Sequence, residues 1–199
     1  MKLPDAFYQR DDVLTISREL LGKFLFTRVN GELTGGMIVE TEAYRGTEDR
    51  ASHAWNGRLT NRTRIMYEAG GVAYVYLCYG IHNLFNVVTA AAGVPHAVLI
   101  RAIEPTEGID VQLERRKMTV LHPRITAGPG ALSRALGITR ELNGMHLGSD
   151  SVWIEERGMV IENKAIVTGP RVGVSYAGAH ALFPWRFSIR NNKFVSKAK

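Results

Sequence analysis

The sequence predicts an α+β fold in one domain, residues 1–199. The length suits a single domain that buries a sizeable core. Two hairpin signals, Asn30-Gly31 and Tyr79-Gly80, each separate runs rich in β-branched and aromatic residues, which indicates antiparallel strands. Short helical patterns are mixed with these strands, the first over Asp11–Leu21.

The composition is that of a basic globular protein. Hydrophobic residues make up 45% and charged residues 22% of the chain, which is ordinary. Twenty-five Lys and Arg against 19 Asp and Glu give a net charge of +6. Such a balance suggests a polyanionic partner, nucleic acid or an anionic membrane surface, although many soluble proteins are basic.

The single cysteine, Cys78, allows neither a disulfide within the chain nor a cysteine cluster for zinc or iron–sulfur. It favours a reducing, intracellular setting. The first residues lack the apolar core of a signal peptide, so secretion is not expected. No apolar run reaches the roughly 20 residues that span a bilayer.

The first strands are predicted in order along the chain. The helix over Asp11–Leu21 ends at Gly22, a common position for glycine. Phe24–Val29 has the composition of a strand, and the turn at Asn30-Gly31 returns the chain into a second strand over Met37–Tyr44.

The strand Met37–Tyr44 carries two acids in an otherwise apolar run. Alternation places four side chains on one face, Ile38, Glu40, Glu42 and Tyr44, and four on the other, Met37, Val39, Thr41 and Ala43. The second face is expected to be core. Buried acids are costly unless paired, so either the carboxylates face solvent or they serve a site.

A long basic connection, Gly46–Gly71, follows this strand. Its only helical piece is a short one near Thr63–Glu68, and connections of this length are usually functional or disordered. We expect an ordered loop that forms part of a site. Its arginines are Arg50, Arg58, Arg62 and Arg64.

The next segment, Val72–Thr89, is predicted to be a hairpin whose tip displays Tyr79, because Gly80 supplies the positive φ of a tight turn. A plain core hairpin is the alternative, and it explains the exposed tyrosine poorly. In the following strand, His96–Glu104, Arg101 stands among apolar neighbours. If it faces inward it needs an anionic partner, such as Glu42 or Glu40; if it faces outward it is merely solvated.

The C-terminal half is predicted to hold two short helices. One begins at Gly108, and the other begins at Gly128-Pro129-Gly130, where free backbone amides could bind a phosphate. The tail after Asn191, which includes Lys193, Lys197 and Lys199, is expected to be frayed. The strands expected here are Val152–Glu155, Ile166–Ser175 and Trp185–Ile189.

The sequence lacks a Walker A loop, a dinucleotide-binding glycine motif, a G-x-S-x-G elbow and H-E-x-x-H, and its histidines have no metal-ligand spacing. What remains is an acid followed by aromatic and polar residues in the stretch from Glu42 to Arg101. An acid that activates water beside aromatic rings suits an enzyme acting on an extruded nucleic-acid base. An aromatic at a hairpin tip suits a wedge that fills the hole left in the duplex.

Four segments carry a resemblance to a known family: IVETEAYRGTEDRASHAWNGRLTNRTRIMY, YVYLCYGIHNLFNVV, AVLIRAIEPTEG and GPRVGVSYAG. In this order they resemble the alkyladenine (3-methyladenine) DNA glycosylases, the family typified by the mammalian alkyladenine glycosylase. The resemblance implies one mixed domain around a curved antiparallel sheet, with a protruding hairpin that enters the DNA minor groove. It implies excision of alkylated or deaminated purines, among them 3-methyladenine, hypoxanthine and ethenoadenine, without a cofactor and without strand cleavage.

The resemblance also assigns the chemistry. Glu42 is similar to the general base that orients the attacking water, with Arg101 and the backbone carbonyl of Val172 as further ligands of that water. Glu40 is the nearest rival for the base, and we expect it to be structural.

For the base pocket, the resemblance implies that Tyr44 and His53 stack on one face of the flipped base and Tyr76 on the other. The backbone amide of His53 would read the purine 6-position. Asn86 would crowd the 2-amino group of guanine and so disfavour that normal base.

For the DNA backbone, the resemblance makes Tyr79 the intercalating wedge, with Ile81 beside it. Ile81 replaces a methionine and His82 a tyrosine of the mammalian protein, so contacts with the opposite strand are expected to differ. The groups expected to bind phosphates are Arg58, Arg62, Arg64 and Gly130.

Two rival functions stay open at this point. One is a non-catalytic protein that binds damaged DNA through the same basic and aromatic residues. The other is a glycoside hydrolase acting on free sugars. The preferred interpretation is a cytoplasmic, nucleoid-associated bacterial enzyme, a monomer that binds double-stranded DNA and no membrane.

Overall fold

The computed structural model describes residues 1–197. An eight-stranded antiparallel sheet forms its centre, with the order β3-β4-β5-β2-β1-β6, while β8 pairs with both β2 and β7. The sheet is curved, which together with the short helices confirms the predicted α+β class. Its strands are β1 Phe24–Val29, β2 Glu32–Arg45, β3 Ala73–Cys78, β4 His82–Thr89, β5 His96–Glu107, β6 Val152–Glu155, β7 Ile166–Gly169 and β8 Arg186–Ile189.

Over the part of the chain that the structure describes, four short α-helices accompany the sheet, and α2 and α4 supply apolar residues to the largest core cluster. Residues 64–67 and 175–182 are among the 3₁₀ segments, the first where a helical piece was predicted. Within residues 1–197, no helix is long and apolar enough to cross a membrane. The helices are α1 Asp5–Tyr8, α2 Val13–Glu19, α3 Ile109–Arg115 and α4 Pro129–Ala135.

Helix α2 and the hairpin of β1 and β2 form where the sequence predicted them. The carboxylate of Asp12 accepts hydrogen bonds from the amides of Leu14 and Thr15, so it caps α2. At the β1–β2 turn Asn30 and Gly31 have φ of 53° and 82°, the left-handed conformation of a tight hairpin. The short helix α1, which follows Pro4, was not predicted.

Two compensating bulges interrupt the middle of the β2–β5 pairing, and a third register shift lies between Gly35 and Gly36. Ile38 pairs with Ile103 and Glu40 with Ala102, which leaves Val39 as an extra residue on β2. A bulge of this kind bends a strand and re-aims side chains.

The second bulge lies on the facing strand. Thr41 pairs with Ile100 while Glu40 pairs with Ala102, so Arg101 is the extra residue on β5. The two insertions cancel, and the regular register resumes on both sides. Because of this bulge, the side chain of Arg101 turns toward the two acids of β2. Of the two orientations considered from the sequence, the inward one with an acidic partner is therefore the one observed.

Because of the bulge at Val39, Ile38 lies on a different face of β2 from the one predicted. Ile38 was expected beside Glu40 and Glu42, but it packs in the same apolar cluster as Ala43. Both acids are fully buried. The alternative of solvent-facing carboxylates is therefore wrong.

The hairpin of β3 and β4 is formed as predicted. Cys78 pairs with His82, and the three residues between them form the tip. Tyr79 and Gly80 both have positive φ, 49° and 70°. The side chain of Tyr79 is 87% exposed, so the tip does display the aromatic ring.

Two predictions for the C-terminal part are wrong. The strand expected over Ile166–Ser175 ends at Gly169, because Pro170 has no N–H to donate to a neighbouring strand. The tail is not frayed after Asn191: Phe194 is 2% and Ser196 9% exposed. Lys199, the last basic residue of that prediction, lies outside the described residues.

Candidate active site

A cavity of about 700 Å³ opens between the hairpin, the basic loop and the central strands. Its size falls within the roughly 300–1,000 Å³ of small-molecule sites. Strands supply most of its functional side chains, and a rigid sheet holds such groups better than loops do. Its lining includes nine of the site residues predicted from the sequence: Tyr44, His53, Arg62, Tyr76, Tyr79, Asn86, Arg101, Gly130 and Val172.

Glu42 lies buried beside this cavity and is held by three donors. Its Oε1 accepts the amide N–H of Val172 at 2.7 Å and lies 3.2 Å from Nη1 of Arg101. Its Oε2 accepts the hydroxyl of Tyr44 at 2.8 Å. Burial raises the pKa of Glu42, and these three donors oppose that rise. A fixed carboxylate with raised proton affinity is suited to act as a general base.

Val172 contacts Glu42 through its amide, which the sequence did not suggest. The amide donates to the carboxylate and so orients it. The role predicted for Val172 concerned its carbonyl as a ligand of water, and that role stays a prediction.

Arg101 uses all three guanidinium nitrogens in the buried region. Nε donates to Glu40 at 3.1 Å, Nη1 lies 3.2 Å from Glu42, and Nη2 donates to the hydroxyl of Ser196 at 3.1 Å. A planar guanidinium with three fixed partners cannot rotate freely. The pairing of Arg101 with acids of β2, expected from the cost of burying its charge, is confirmed.

Glu40 is enclosed by donors. Besides Arg101, its Oε1 accepts from Nη1 of Arg186 at 3.2 Å, and its Oε2 accepts from the amide of Ser196 at 2.9 Å. All three donors to Glu42 belong to residues that line the cavity, whereas Arg186 and Ser196, which donate to Glu40, do not line it. This arrangement favours Glu42 over Glu40 as the base.

The aromatic wall differs from the predicted arrangement. The rings of His53 and Tyr76 are in edge-to-face contact, with centroids 4.6 Å apart. A flat base cannot enter between rings at that distance, so the two rings form one wall instead of opposite ones. Tyr74 adds to this wall, with its ring centroid 5.4 Å from that of Tyr76.

His53 is held in one tautomer. Its Nε2 faces Nη2 of Arg62 at 3.2 Å, and since a guanidinium only donates, Nε2 must accept. Nδ1 therefore carries the proton and donates to the hydroxyl of Tyr74 at 2.9 Å. Burial, with Arg62 and Arg58 nearby, lowers the pKa of His53 to about 4, so the ring is neutral near pH 7.

The predicted phosphate-binding arginines Arg58, Arg62 and Arg64 are all exposed. Arg62 also contacts the aromatic wall, because its guanidinium lies 4.7 Å from the centroid of the Tyr76 ring. It therefore links the basic surface to the wall of the cavity.

Asn86 is buried on β4, and its side-chain nitrogen donates to the carbonyls of Tyr74 and Leu84 at 3.1 and 3.4 Å. Its amide group is thus fixed at the edge of the cavity. Its predicted discrimination against guanine stays a prediction.

Gly130, at the start of α4, approaches the hairpin closely. A Cβ added there would lie 2.7 Å from Cγ of His82, so the glycine is needed for packing. Tyr79 and Ile81 project from the same hairpin and are strongly exposed. The proposed phosphate contact of Gly130 and the DNA contacts of the tip stay predictions.

Sequence reasoning missed one buried ion pair beside the site. Arg171 donates through Nη2 to Asp49 at 2.8 Å and through Nη1 to both Asp49 and the carbonyl of Ala43. Asp49 belongs to the basic loop, and Arg171 directly precedes Val172. The pair therefore ties the loop to the segment that orients Glu42. No local pattern marks two partners that are so distant in the chain.

Comparison with known proteins gives a consistent result. Residues 6–193 match the model of the family described as "Methylpurine-DNA glycosylase". A protein of Chlamydia felis is 45% identical over 192 residues, with 96% of this chain and 97% of that protein covered. Proteins of Bacillus cytotoxicus and Bacillus cereus are 45% and 44% identical over 205 aligned residues, with 99% of this chain and 100% of each relative covered. All three are named "Putative 3-methyladenine DNA glycosylase".

The family match and the names of these relatives show a hydrolase of the DNA N-glycosylase class, which acts in DNA repair. The chain belongs to the methylpurine-DNA glycosylase family. Its substrate is therefore DNA that contains damaged bases. Among residues 1–197, no group of three His, Cys, Asp or Glu side chains is placed to hold a metal ion.

Proposed function

We propose that the protein excises alkylated and deaminated purines, namely 3-methyladenine, hypoxanthine and ethenoadenine, from double-stranded DNA and leaves an abasic site. In substrate range it would resemble the mammalian alkyladenine glycosylase. The observation that carries the proposal is Glu42, a buried carboxylate held by three donors beside an aromatic cavity. The names of the bacterial relatives support 3-methyladenine as one substrate.

Binding begins at the basic surface. Exposed Arg58, Arg62 and Arg64 neutralise phosphates, so affinity falls as salt rises and depends little on sequence. Tyr79 then enters the base stack in place of the damaged nucleotide. Unstacking costs a few kcal/mol and is cheapest for damaged bases, which supplies part of the selectivity.

The flipped base enters the cavity against the wall formed by His53 and Tyr76. Tyr44, which lines the same cavity, would cover the other face of the base. The backbone amide of His53 donates to the purine 6-position, and Asn86 excludes the 2-amino group of guanine. Stacking accepts any purine, so these polar contacts carry the discrimination.

The chemical step is hydrolysis of the N-glycosidic bond. A water held by Glu42, Arg101 and the carbonyl of Val172 attacks C1′ and gives its proton to Glu42. The electron pair of the C1′–N bond leaves with the base as the sugar passes through an oxocarbenium-like state. Purines alkylated at N3 or N7 leave as neutral bases, because they begin cationic. Neutral lesions such as hypoxanthine need an added proton.

The test compares base release from labelled duplexes that carry one methylated purine, hypoxanthine or ethenoadenine. We expect the wild type to release the base and Glu42→Gln to bind the lesion without releasing it. The same substitution at Glu162, an exposed glutamate, is the matched control and is expected to leave release unchanged. Loss of release in Glu40→Gln but not in Glu42→Gln would overturn the choice of base.

A damage-binding protein without catalysis is the second candidate, favoured only by the basic loop and the exposed tip. It predicts tight lesion binding with no release by the wild type.

Under the main proposal the protein acts as a monomer in the cytoplasm, associated with the nucleoid. Sedimentation of the complex with a short lesion duplex would test the one-to-one stoichiometry.

A further inference from the structure

The last described residues reach the buried side of the active site. Ser196, from a segment expected to be frayed, contacts both members of the Glu40–Arg101 pair. Its hydroxyl accepts from Nη2 of Arg101 at 3.1 Å, and its amide donates to Oε2 of Glu40 at 2.9 Å. Ser196 lies 156 residues from Glu40 in the chain, so this contact is a long-range tertiary one.

Two anchors hold this segment, residues 192–197, which we call the C-terminal strap. The side chain of Asn192 donates to Glu104 on β5 at 2.7 Å and accepts the amide of Phe194 at 2.9 Å. Phe194 is buried in the same apolar cluster as Val39, the extra residue of the β2 bulge. The bulge and the strap are therefore packed together.

We propose that Ser196 is a positioning residue for Glu42, the proposed general base, and that it acts through Arg101. The inference rests on the proposed function, in which Glu42 activates water. Arg101 is a rigid fork whose Nε and Nη2 contact Glu40 and Ser196, while Nη1 contacts Glu42. Fixing the first two nitrogens sets the position of the third.

Removal of the Ser196 hydroxyl takes the acceptor from Nη2 and leaves the amide contact with Glu40 in place. The guanidinium then rotates to find a new acceptor, and its contact with Glu42 lengthens. Glu42 is consequently less well oriented, and its charged form is less well stabilised. Substrate binding is unaffected, because Ser196 does not line the cavity.

The experiment measures single-turnover base release and lesion affinity, each across pH, for the wild type and its variants. We expect Ser196→Ala to slow release about tenfold to a hundredfold, the range for a lost hydrogen bond to a charged group. Its dissociation constant for the lesion duplex is expected to match the wild type, and the acidic limb of its rate profile to move to higher pH. Ser196→Thr keeps a hydroxyl and is expected to restore the rate.

Two controls separate positioning from general stability. Ser151→Ala makes the same change beside β6, at an edge of the sheet, and is expected to release base normally. Phe194→Leu loosens the packing of the strap while it keeps the hydroxyl, so it reports the effect of lower stability. A Ser196→Ala variant with wild-type rate and pH profile would overturn the positioning role. Absence of release by the wild type would instead overturn the proposed function.

Discussion

The hydroxyl of Tyr44 donates a 2.8 Å hydrogen bond to the carboxylate of Glu42, two residues earlier on the same face of β2. One side chain therefore serves both the cavity wall and the proposed general base, Glu42. This hydrogen bond stabilises the charged form of Glu42 and so opposes the effect of burial, which raises the pKa of Glu42. The ring and the hydroxyl have separable roles.

Tyr44→Phe separates them, since it keeps the ring and removes the hydrogen bond. The pKa of Glu42 is expected to rise further, so the acidic limb of base release moves to higher pH. At neutral pH the rate is expected to fall by about tenfold, as for a lost hydrogen bond to a charged group. A pH–rate profile under single-turnover conditions measures both. Tyr67→Phe, the same change outside the cavity, is the control; an unshifted limb in Tyr44→Phe would contradict the prediction.

His53 is expected to remain neutral until the pH approaches about 4, since burial lowers its pKa to that value. Its ring resonance in an NMR titration, assigned by its loss in His53→Gln, checks this. Between the ordinary histidine pKa of about 6.5 and about 4, the unfolded chain binds a proton that the folded chain does not. The free energy of unfolding is therefore expected to fall as the pH is lowered from about 6.5 to about 4. In His53→Gln it is expected to fall less steeply over the same range. Titration near 6.5 would refute the buried neutral ring.

The buried pair of Asp49 and Arg171 is expected to be essential for stability. Asp49→Ala leaves the Arg171 charge buried without its partner, which costs about 3–5 kcal/mol of unfolding free energy. Urea denaturation measures the loss. Glu162→Ala breaks an exposed pair with Lys164 and is expected to cost less than about 1 kcal/mol. Similar losses in the two variants would show that burial of the Asp49 pair has no special weight.

Tyr79→Ala tests the wedge. Because the side chain is exposed, the free energy of unfolding is expected to change by less than about 0.5 kcal/mol. Base release from duplex DNA is expected to fall about tenfold to a hundredfold, since flipping costs a few kcal/mol. Release from a single strand is expected to fall much less. Leu182→Ala, another strongly exposed position, is the control, and equal losses on both substrates would argue against a wedge.

Local features of the fold were predictable because local physics decides them. The strand Phe24–Val29 has its predicted bounds, and the turn at Asn30-Gly31 follows from two residues that tolerate positive φ. The inward turn of Arg101 was one of two alternatives, and the cost of a buried charge identified its acidic partners.

The remaining features depend on residues far apart in the chain. The bulge at Val39 moved Ile38 to the opposite face, because one extra residue inverts a period of two. Ser196 was missed since its partners lie on β2 and β5 and nothing in the tail itself marks the contact. The contact between His53 and Tyr76 depends on how the basic loop folds over β3, which no periodicity describes.

Strand β2 has a consequence for the order of events during synthesis. At Glu40 it pairs with Ala102 on one edge and with Ser188 on the other. A ribosome adds about 5–20 residues per second, so the strand that bears Glu42 waits on the order of ten seconds for its last neighbour. A nascent chain of this protein therefore carries Glu42 without a finished site, and hydrolytic competence is expected only after β8 and the C-terminal strap have been synthesised.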